Sequence, residues 1–568
     1  MPLPAGVLVP EGSSGPETSA ATIKSVSNWN FADVWEAVAE ARPDAPALAQ
    51  GGRRATWREF TRRADGVAAG LLRGGLGHQA KVAEYLYNSP EYLETLFGAF
   101  KAGLVPVNTN YRYTEDELVY LWDNADVEAV VFHGSFGDRA EAARSRLPGI
   151  KLWWWVDDGV AACPEWASPF GEAAGGAADQ GVRAPWGRSG DDLLFIYTGG
   201  TTGMPKGVMW RQDDLFATLN RTGELRYPEG GTLEDVHATL AAPLKHPPPV
   251  LVPGPPLMHG TGLFTAMSVL SSAGCVVMLE SRHLDPEALL GTVEKERITE
   301  ISIVGDAFAK PLLAALDANP GRWDISSLWL IISSGVIWSA EVKAGLLRHN
   351  PRLTLVDSLG SSEALGMGRS TSRLGSNPDT AGFQLGADAK VISDDGRDVH
   401  PGSGEQGRVA LRGRGPIGYY KDPDKSASTF LMIDGQRWTI PGDFATVEAD
   451  GSVRLLGRGS GCINTGGEKV FPEEVEEALK LHPAIADAVV VGVPDDRFGE
   501  TVVAIVEMTP GEGYPGDAPL IEWVRARLAA YKAPRHLIEV ATIGRSPSGK
   551  VDYRRLREYA LTRRSSPS

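Results

Sequence analysis

The sequence predicts an α/β protein with a large, layered N-terminal domain of mostly parallel sheets, followed by a small α+β C-terminal domain. Short apolar runs alternate with amphipathic stretches from Asn30 to Val356, a pattern typical of consecutive strand–helix–strand units. From Glu473 onwards, two strand-like runs and a helical pattern form a separate and shorter group. A chain of 568 residues is long enough for two domains with their own cores.

The spacing of apolar residues predicts the individual elements. Helices are expected over residues 30–40, 56–72, 89–104 and 263–269, from Thr114, from Pro472, and around 520–528. Strands are expected over residues 81–87, 127–132, 193–196, 274–279, 301–304, 328–333, 353–356, 488–493 and 501–508. Residues 108–114 are predicted to form a loop, and residues 448–451 the turn of a hairpin.

Two stretches show no regular spacing of apolar residues. Residues 161–190 are rich in Ala, Gly, Pro and Trp and are predicted to form a surface excursion. Residues 229–256 contain dense prolines at 247–249 and 253–256. Because proline lacks an amide hydrogen and has a fixed φ, we expect no helix interior or central strand there. An extended lid or spacer beside the site is the prediction.

Composition and charge exclude several classes of function. The net charge of −16 argues against nucleic-acid binding and against a basic membrane-binding surface. No apolar stretch is long enough to span a bilayer, and residues 1–20 have the composition of a disordered tail. The cysteines at 163, 275 and 462 have no metal-binding spacing, which favours a reducing, cytoplasmic location.

The most informative stretch is Tyr197–Gly207, with the sequence YTGGTTGMPKG, which follows the predicted strand 193–196. Its glycines and threonines expose many backbone donors, and Lys206 adds a positive charge, so the loop can surround phosphate oxygens. The sequence is not a Walker A motif, because Pro205 precedes the lysine and Gly207 follows it. A flexible surface loop is the alternative interpretation.

Later motifs accompany this loop. They are DSLGSSE over 357–363, PGD over 441–443, GR at 457–458, NTGGEKVFP over 464–472 and SPSGK over 546–550. Together, and in this order, they resemble the adenylate-forming superfamily of acyl-CoA synthetases, peptide-synthetase adenylation domains and luciferases. The resemblance covers nearly the whole chain. It implies an AMP-binding domain over 21–458, a hinge at 459–461 centred on Ser460, and a mobile C-terminal domain over 462–568.

The resemblance also implies roles for individual residues, with ATP, Mg²⁺ and coenzyme A as ligands. Lys550, Glu363, Lys206 and His259 would be catalytic, and Thr198 and Glu363 would hold Mg²⁺. The implied ATP- and AMP-binding residues are Thr198, Gly199, Gly200, Thr201, Thr202, Gly203, Lys206, Ser334, Gly335, Asp357, Ser358, Leu359, Gly360, Ser361, Ser362, Asp443, Arg458 and Lys550. The implied CoA-binding loop consists of Gly466, Gly467, Glu468 and Lys469.

The chain departs from the family pattern at three positions. Leu359 replaces an aromatic residue that flanks adenine, Pro441 replaces a threonine, and Ser460 replaces the usual Asp or Lys of the hinge. Glycines flank Ser460, which favours a swivel at this point. We expect these departures to weaken stacking on adenine and to change the energetics of the hinge.

The implied activity is ATP-dependent ligation of a carboxylic acid to coenzyme A. The segment 458–472 is similar to the actinobacterial branch that activates bulky lipid acids, so a fatty acid or a steroid side-chain acid is expected. The alternatives are a fatty acyl-AMP ligase, a stand-alone adenylation enzyme, an aryl acid–CoA ligase, a luciferase-type oxygenase and a degenerate nucleotide-binding scaffold. A homodimer is possible, since dimers are common in the family.

Overall fold

The structure is a computed structural model. It describes residues 29–175, 181–198, 204–223, 225–244, 246–335, 338–376, 382–458, 461, 463–465, 468–495, 499–528, 530–546 and 551–564. Several predictions fall on residues outside these ranges, namely the tail 1–20, residues 199–203 of the phosphate loop, Ser460, Gly466, Gly467 and Lys550.

Several of the helices begin after a residue whose side chain caps them. They are α1 (Phe31–Ala41), α2 (Trp57–Arg73), α3 (Pro90–Lys101), α4 (Glu115–Asn124), α5 (Gly137–Arg146), α6 (Phe170–Gly175), α7 (Gln212–Asn220), α8 (Leu233–Ala241), α9 (Gly260–Ser271), α10 (Pro286–Glu296), α11 (Asp306–Ala318), α12 (Ala340–His349), α13 (Pro423–Thr429), α14 (Pro472–Lys480), α15 (Asp517–Arg525) and α16 (Tyr553–Arg564). The side chains of Asn30 and Thr56 accept hydrogen bonds from the first turns of α1 and α2, which confirms both predicted starts.

The strands belong to three sheets. They are β1 (Pro46–Gln50), β2 (Arg53–Thr56), β3 (Lys81–Tyr85), β4 (Val105–Asn108), β5 (Val127–His133), β6 (Leu152–Val156), β7 (Ser168–Pro169), β8 (Leu193–Thr198), β9 (Lys206–Arg211), β10 (Val250–Pro253), β11 (Cys275–Met278), β12 (Glu300–Ile303), β13 (Leu330–Ser334), β14 (Thr354–Leu359), β15 (Gly368–Ser372), β16 (Gly382–Leu385), β17 (Ala389–Ile392), β18 (Gln406–Arg412), β19 (Gly418–Tyr419), β20 (Phe430–Ile433), β21 (Gln436–Thr439), β22 (Asp443–Val447), β23 (Val453–Arg458), β24 (Ile463–Thr465), β25 (Glu468–Val470), β26 (Ile485–Asp495), β27 (Gly499–Met508) and β28 (His536–Val540).

The first sheet joins a parallel part to an antiparallel part. Its order is β2-β1-β11-β10-β12-β13-β14-β15-β16-β23-β22-β18-β21-β20, with β17 paired to β18. Strands β1 to β14 in this order run parallel, and β15 and the strands after it are antiparallel. The second sheet has the order β19-β9-β8-β4-β3-β5-β6-β7 and is parallel from β8 to β7. The α/β prediction with mostly parallel sheets is confirmed for this strand–helix part of the chain.

The two sheets enclose a layer of helices. Leu251 and Val82 face a core that also contains buried side chains of α1, α2, α3 and α9. Their neighbours in sequence, Val252 and Ala83, face the opposite sides of the two sheets, where α10–α12 and α4–α5 pack. Because successive residues of each strand point to opposite faces, the order of layers is helix, sheet, helix, sheet, helix.

The prediction for the proline-rich stretch 229–256 was wrong. It contains the helix α8 and the strand β10, and β10 lies inside the first sheet with parallel partners on both sides. The prolines do not break the strand because they cluster outside it. Pro249 precedes β10, and Pro253 is its last residue. Residues 161–190, predicted to be irregular, contain the short elements β7 and α6.

The C-terminal unit has its own sheet and core. Strands β25, β24, β27 and β26 are antiparallel, and β28 is parallel to β27. Helix α14 begins at Pro472, as predicted, and its residues Val475 and Leu479 are buried against this sheet. The prediction of a small α+β domain for this part of the chain is therefore confirmed.

A buried network of charges ties the first helices to the chain before β8. The amine of Lys101, which is fully buried, lies 2.6 Å from Glu36 and 2.8 Å from Asp65. Arg188 donates two hydrogen bonds to Glu36. Burial works to raise the pKa of Glu36, but the hydrogen bonds and charges of Arg188 and Lys101 outweigh it and lower this pKa to about 2.

We expect Glu36→Gln to lower the free energy of unfolding by roughly 3 kcal/mol at pH 7, because a pKa near 2 in the folded state lies well below the unfolded value. This stabilisation is complete above the unfolded pKa and is lost as the pH falls through the folded pKa. Urea unfolding should show that the difference in free energy of unfolding between this variant and the unsubstituted protein is about 1 kcal/mol smaller at pH 4 than at pH 7. Glu40→Gln, an exposed position on the same helix, is the control, and equal losses for both variants would contradict the prediction.

Candidate active site

The predicted phosphate loop connects two paired strands. Strand β8 ends at Thr198, and β9 begins at Lys206 directly opposite it in the antiparallel register. The loop residues 199–203 between them lie outside the described ranges. This register places the hydroxyl-bearing Thr198 and the cationic Lys206 side by side at one edge of the second sheet, as a phosphate-binding turn requires.

The segment with Glu363 reaches the same edge. Strand β14 extends beyond its predicted end and includes residues 357–359, and a turn follows in which Ser361 and Ala364 bond each other through their backbones. The buried indole of Trp210 on β9 donates a hydrogen bond of 2.8 Å to the carbonyl of Ser362. The motif of the first sheet is thus fastened to the strand that carries Lys206.

Two residues that sequence reasoning missed complete this cluster. Strand β19 pairs with β9, and the hydroxyl of Tyr419 donates a hydrogen bond of 2.9 Å to Oε1 of Glu363. The carboxylate of Asp422 lies 2.5 Å from the amine of Lys206. The sequence signal was available in Gly418-Tyr-Tyr-Lys-Asp422, a glycine-aromatic stretch that ends in a helix cap before Pro423.

These residues fit a magnesium nucleotide. Among the described residues, no cluster of three or more acidic, histidine or cysteine side chains could hold a metal ion by itself. Magnesium characteristically takes one or two protein carboxylates and completes its shell with phosphates and water. Glu363 is half-buried and hydrogen-bonded by Tyr419, and Thr198 is also half-buried, so both can present a hard oxygen ligand to that ion.

The structure gives Asp357 and Leu359 buried side chains. Both are 4–5% exposed, and the Asp357 carboxylate lies 3.3 Å from the amine of Lys343 on α12. Burial raises the pKa of Asp357 to about 6, against the opposing charge and hydrogen bond of Lys343. Leu359 packs in the core of the antiparallel part of the sheet. Both side chains are therefore engaged in packing, and a ligand could reach these two residues only through their backbone.

The end of β13 lies beside this motif. Ser334 pairs with Ser358 in the parallel register, and its hydroxyl donates a hydrogen bond of 3.0 Å to the carbonyl of Ser358. Gly335 follows with φ at +88°, a conformation that favours glycine. The polar backbone at the carboxyl ends of β13 and β14 is where a ligand binds in an open parallel sheet.

The two predicted ribose-binding residues are paired across a hairpin. Asp443 is the first residue of β22 and stands opposite Arg458, the last residue of β23, in the antiparallel register. The Asp443 side chain is buried, with 6% of the residue exposed. The predicted turn at residues 448–451 connects these strands.

His259 stands at the start of a buried helix. It is the N-cap residue of α9, and its position is fixed by two asparagines that sequence reasoning missed. Asn108 donates hydrogen bonds to the carbonyls of Met258 and Tyr197. Asn88 accepts one from the backbone of Leu257. These bonds couple the His259 loop to the strand that leads into the phosphate loop.

Of the predicted CoA-binding loop, the structure describes only the backbone of Glu468 and Lys469. Glu468 and Lys469 lie in β25, which pairs with β24, next to the undescribed Gly466 and Gly467. Gly457, one residue before Arg458, has φ at +127°, and a Cβ there would collide with the carboxylate of Glu473 on α14. The start of the C-terminal unit therefore packs directly against the end of β23.

The fold and these motifs define an adenylate-forming enzyme, and comparison with known families agrees. Residues 35–420 match the family described as AMP-binding enzyme, and residues 474–550 match the AMP-binding enzyme C-terminal domain. The chain belongs to the AMP-binding enzyme family.

Proteins of known activity resemble the chain over its length. A medium/long-chain-fatty-acid–CoA and 3-oxocholest-4-en-26-oate–CoA ligase of Mycobacterium marinum is 40% identical over 544 residues, which are 94% of this chain and 97% of the relative. A 3-oxocholest-4-en-26-oate–CoA ligase of Rhodococcus rhodochrous is 38% identical, over 92% of this chain and 95% of the relative. The crystal structure of an anthranilate CoA ligase with anthranoyl-AMP has a TM-score of 0.80 at 22% identity, covering 95% and 98% of the two chains, and so shares the fold.

We expect Lys343→Met to destabilise the protein by about 3–5 kcal/mol, because it removes the cation beside the buried Asp357 carboxylate. The double variant Lys343→Met/Asp357→Leu should regain most of this loss, since no buried charge remains. Lys310→Met on α11, whose pair with Asp306 is half exposed, is the control and should lose little. Urea unfolding measures all three, and a double variant no more stable than Lys343→Met would contradict the explanation.

Proposed function

We propose that the protein is an ATP-dependent acid–CoA ligase. It joins a carboxylic acid to AMP with release of pyrophosphate and then transfers the acyl group to the thiol of coenzyme A. The observation that supports this best is the convergence of Lys206 and Glu363, from two different sheets, on one edge of the fold. In a chain that aligns over 92–94% of its length with CoA ligases, this convergence supplies the cation and the metal-binding carboxylate of the first step.

The first step requires two anions to meet. The acid carboxylate attacks the α-phosphorus of ATP, a P–O bond forms, and the bond to pyrophosphate breaks. Lys206 neutralises the departing pyrophosphate, and Thr198 with the adjoining loop orients it. Glu363 would hold magnesium, and the ion would withdraw charge from the phosphate oxygens. Asp443 and Arg458 hold the ribose, and Lys550 stabilises the carboxylate and the α-phosphate oxygens. Positioning and positive charge together lower the barrier.

The second step needs space where Lys550 had been. The thiol gives up its proton to water as its sulfur attacks the acyl carbon, the tetrahedral centre collapses, and AMP leaves with the electrons of the broken C–O bond. A C-terminal domain that swings about residues 459–461 would remove Lys550 and bring Gly466, Gly467, Glu468 and Lys469 towards the pantetheine arm. His259 at the start of α9 borders the acyl carboxylate in this proposal.

The division into residues 21–458, 459–461 and 462–568 is part of the proposal. It is supported by the separate core of the C-terminal unit and by the positive φ of Gly457, the second-to-last residue of β23, which lies beside Glu473. Among the described residues, no helix is long and apolar enough to cross a membrane.

The proposed substrate is a medium- or long-chain fatty acid or a steroid side-chain acid. This rests on the two actinobacterial relatives, whose names specify those acids. An aryl acid is the second candidate, and it is supported by a feruloyl-CoA synthase of Amycolatopsis that is 31% identical over 90% of this chain.

ATP–pyrophosphate exchange measured across fatty, steroid and aryl acids tests the function. We expect exchange with a lipid acid and, when CoA is added, an acyl-CoA product identified by mass spectrometry. Lys550→Ala should lose adenylation by about two orders of magnitude or more, because it removes a cation from the transition state. Accumulation of acyl-AMP without thioester would indicate an acyl-AMP ligase, and full exchange in Lys550→Ala would contradict the role of that lysine.

We expect Glu363→Gln to lower kcat for adenylation about a hundredfold and to raise the Mg²⁺ concentration needed for half-maximal rate. An amide oxygen carries no charge and holds a hard cation more weakly than a carboxylate does. Pyrophosphate release followed over a range of Mg²⁺ concentrations measures both effects. Glu341→Gln, exposed at the start of α12, is the control. An unchanged Mg²⁺ dependence in Glu363→Gln would remove Glu363 from the metal site.

A further inference from the structure

The amine that is proposed to bind phosphate already has an anionic partner. Lys206 Nζ lies 2.5 Å from Oδ2 of Asp422, and the two side chains are 37% and 29% exposed. The hydrogen bond from Lys206 is the main cause that lowers the pKa of Asp422, so the carboxylate carries its negative charge in this pair. In this conformation a triphosphate and Asp422 would compete for one cation.

Asp422 is held in place independently of Lys206. It is the N-cap residue of α13, and its other oxygen, Oδ1, accepts a hydrogen bond of 3.0 Å from the backbone of Lys425. Strand β19, which ends three residues earlier, pairs with β9 through Tyr419 and Val208. One carboxylate oxygen therefore caps a helix, while the second one faces the lysine.

The Asp422 carboxylate remains stabilised after Lys206 moves away. The helix cap remains, the positive charge of Lys425 is near enough to lower the pKa of Asp422, and water reaches the carboxylate. A partly exposed ion pair of this kind is weak, so a polyphosphate with several charges can displace it. The lysine also lies 6.0 Å from the ring of Tyr419, whose hydroxyl binds Glu363, so it stays close to the metal site during the exchange.

We infer that Asp422 is a positioning residue that holds Lys206 in the free enzyme, gives it up to the phosphates of ATP, and takes it back when pyrophosphate leaves. The inference rests on the proposed function, because it assumes that Lys206 binds phosphate. Its consequence is that Asp422 weakens the binding of ATP and pyrophosphate and speeds the departure of the product. No covalent bond changes in this exchange.

Asp422→Asn tests the exchange, because asparagine keeps the helix cap and removes the charge. We expect the dissociation constants of magnesium pyrophosphate and of magnesium α,β-methylene-ATP to fall about two- to fivefold, measured by calorimetry on the full chain. In turnover, the KM for ATP should fall and inhibition by pyrophosphate should strengthen. Asp422→Ala should show the same gain in affinity together with a lower melting temperature, because it also loses the cap.

Two controls separate the exchange from a general effect of charge. Asp424→Asn removes a neighbouring charge on the same helix and should leave both affinities unchanged. In the Lys206→Met background, Asp422→Asn should have no further effect, because the exchanged cation is gone. An unchanged or weaker affinity in Asp422→Asn, or an equal gain in either control, would overturn this inference and leave the proposed function intact. An unsubstituted protein that binds neither probe would overturn the proposed function as well.

Discussion

The geometry of the site depends on the short pairing of β19 with β9. The backbone of Ile417 donates to Met209 and that of Tyr420 donates to Gly207, at 2.9 and 2.8 Å. These bonds attach the chain that follows β18 to the sheet that carries the phosphate loop. Without them, neither the Tyr419 hydroxyl nor the Asp422 carboxylate would have a fixed position, and the residues from the two sheets would not share one edge.

Side-chain amides perform a similar task between the loops. The buried Asn108 bonds to backbone groups of Tyr197 and Met258, on two segments. The half-buried Asn88 bonds to backbone groups within the single segment 253–257. A buried asparagine that makes all these bonds fixes a loop without adding a charge, and losing one partner would leave polar groups unsatisfied. The position of His259 is thus a property of the surrounding loops as much as of its own helix.

Local patterns predicted the helices α1 and α2, the motif strands and the separate C-terminal unit, because periodicity and caps act within a few residues. They failed for β10, where proline content was weighed over the whole stretch although only Val250–Pro253 enters the sheet. They also could not assign Tyr419 or Asp422, whose importance arises from partners 56 and 216 residues away. Contacts of that separation depend on the assembled sheets, which a single sequence does not display.

The hairpin of β22 and β23 has a consequence for how this enzyme can change over time. Asp443 stands opposite Arg458 because a β-bulge between Phe444 and Ala445 accommodates the one extra residue of β23. A single inserted or deleted residue at the turn would slip the register and turn one of the two towards the wrong face. Exchanges of amino acid at Ala449 or Asp450 leave the arms aligned. The residues of this turn can therefore be substituted, in evolution or by design, but their number cannot change without shifting the pairing of Asp443 with Arg458.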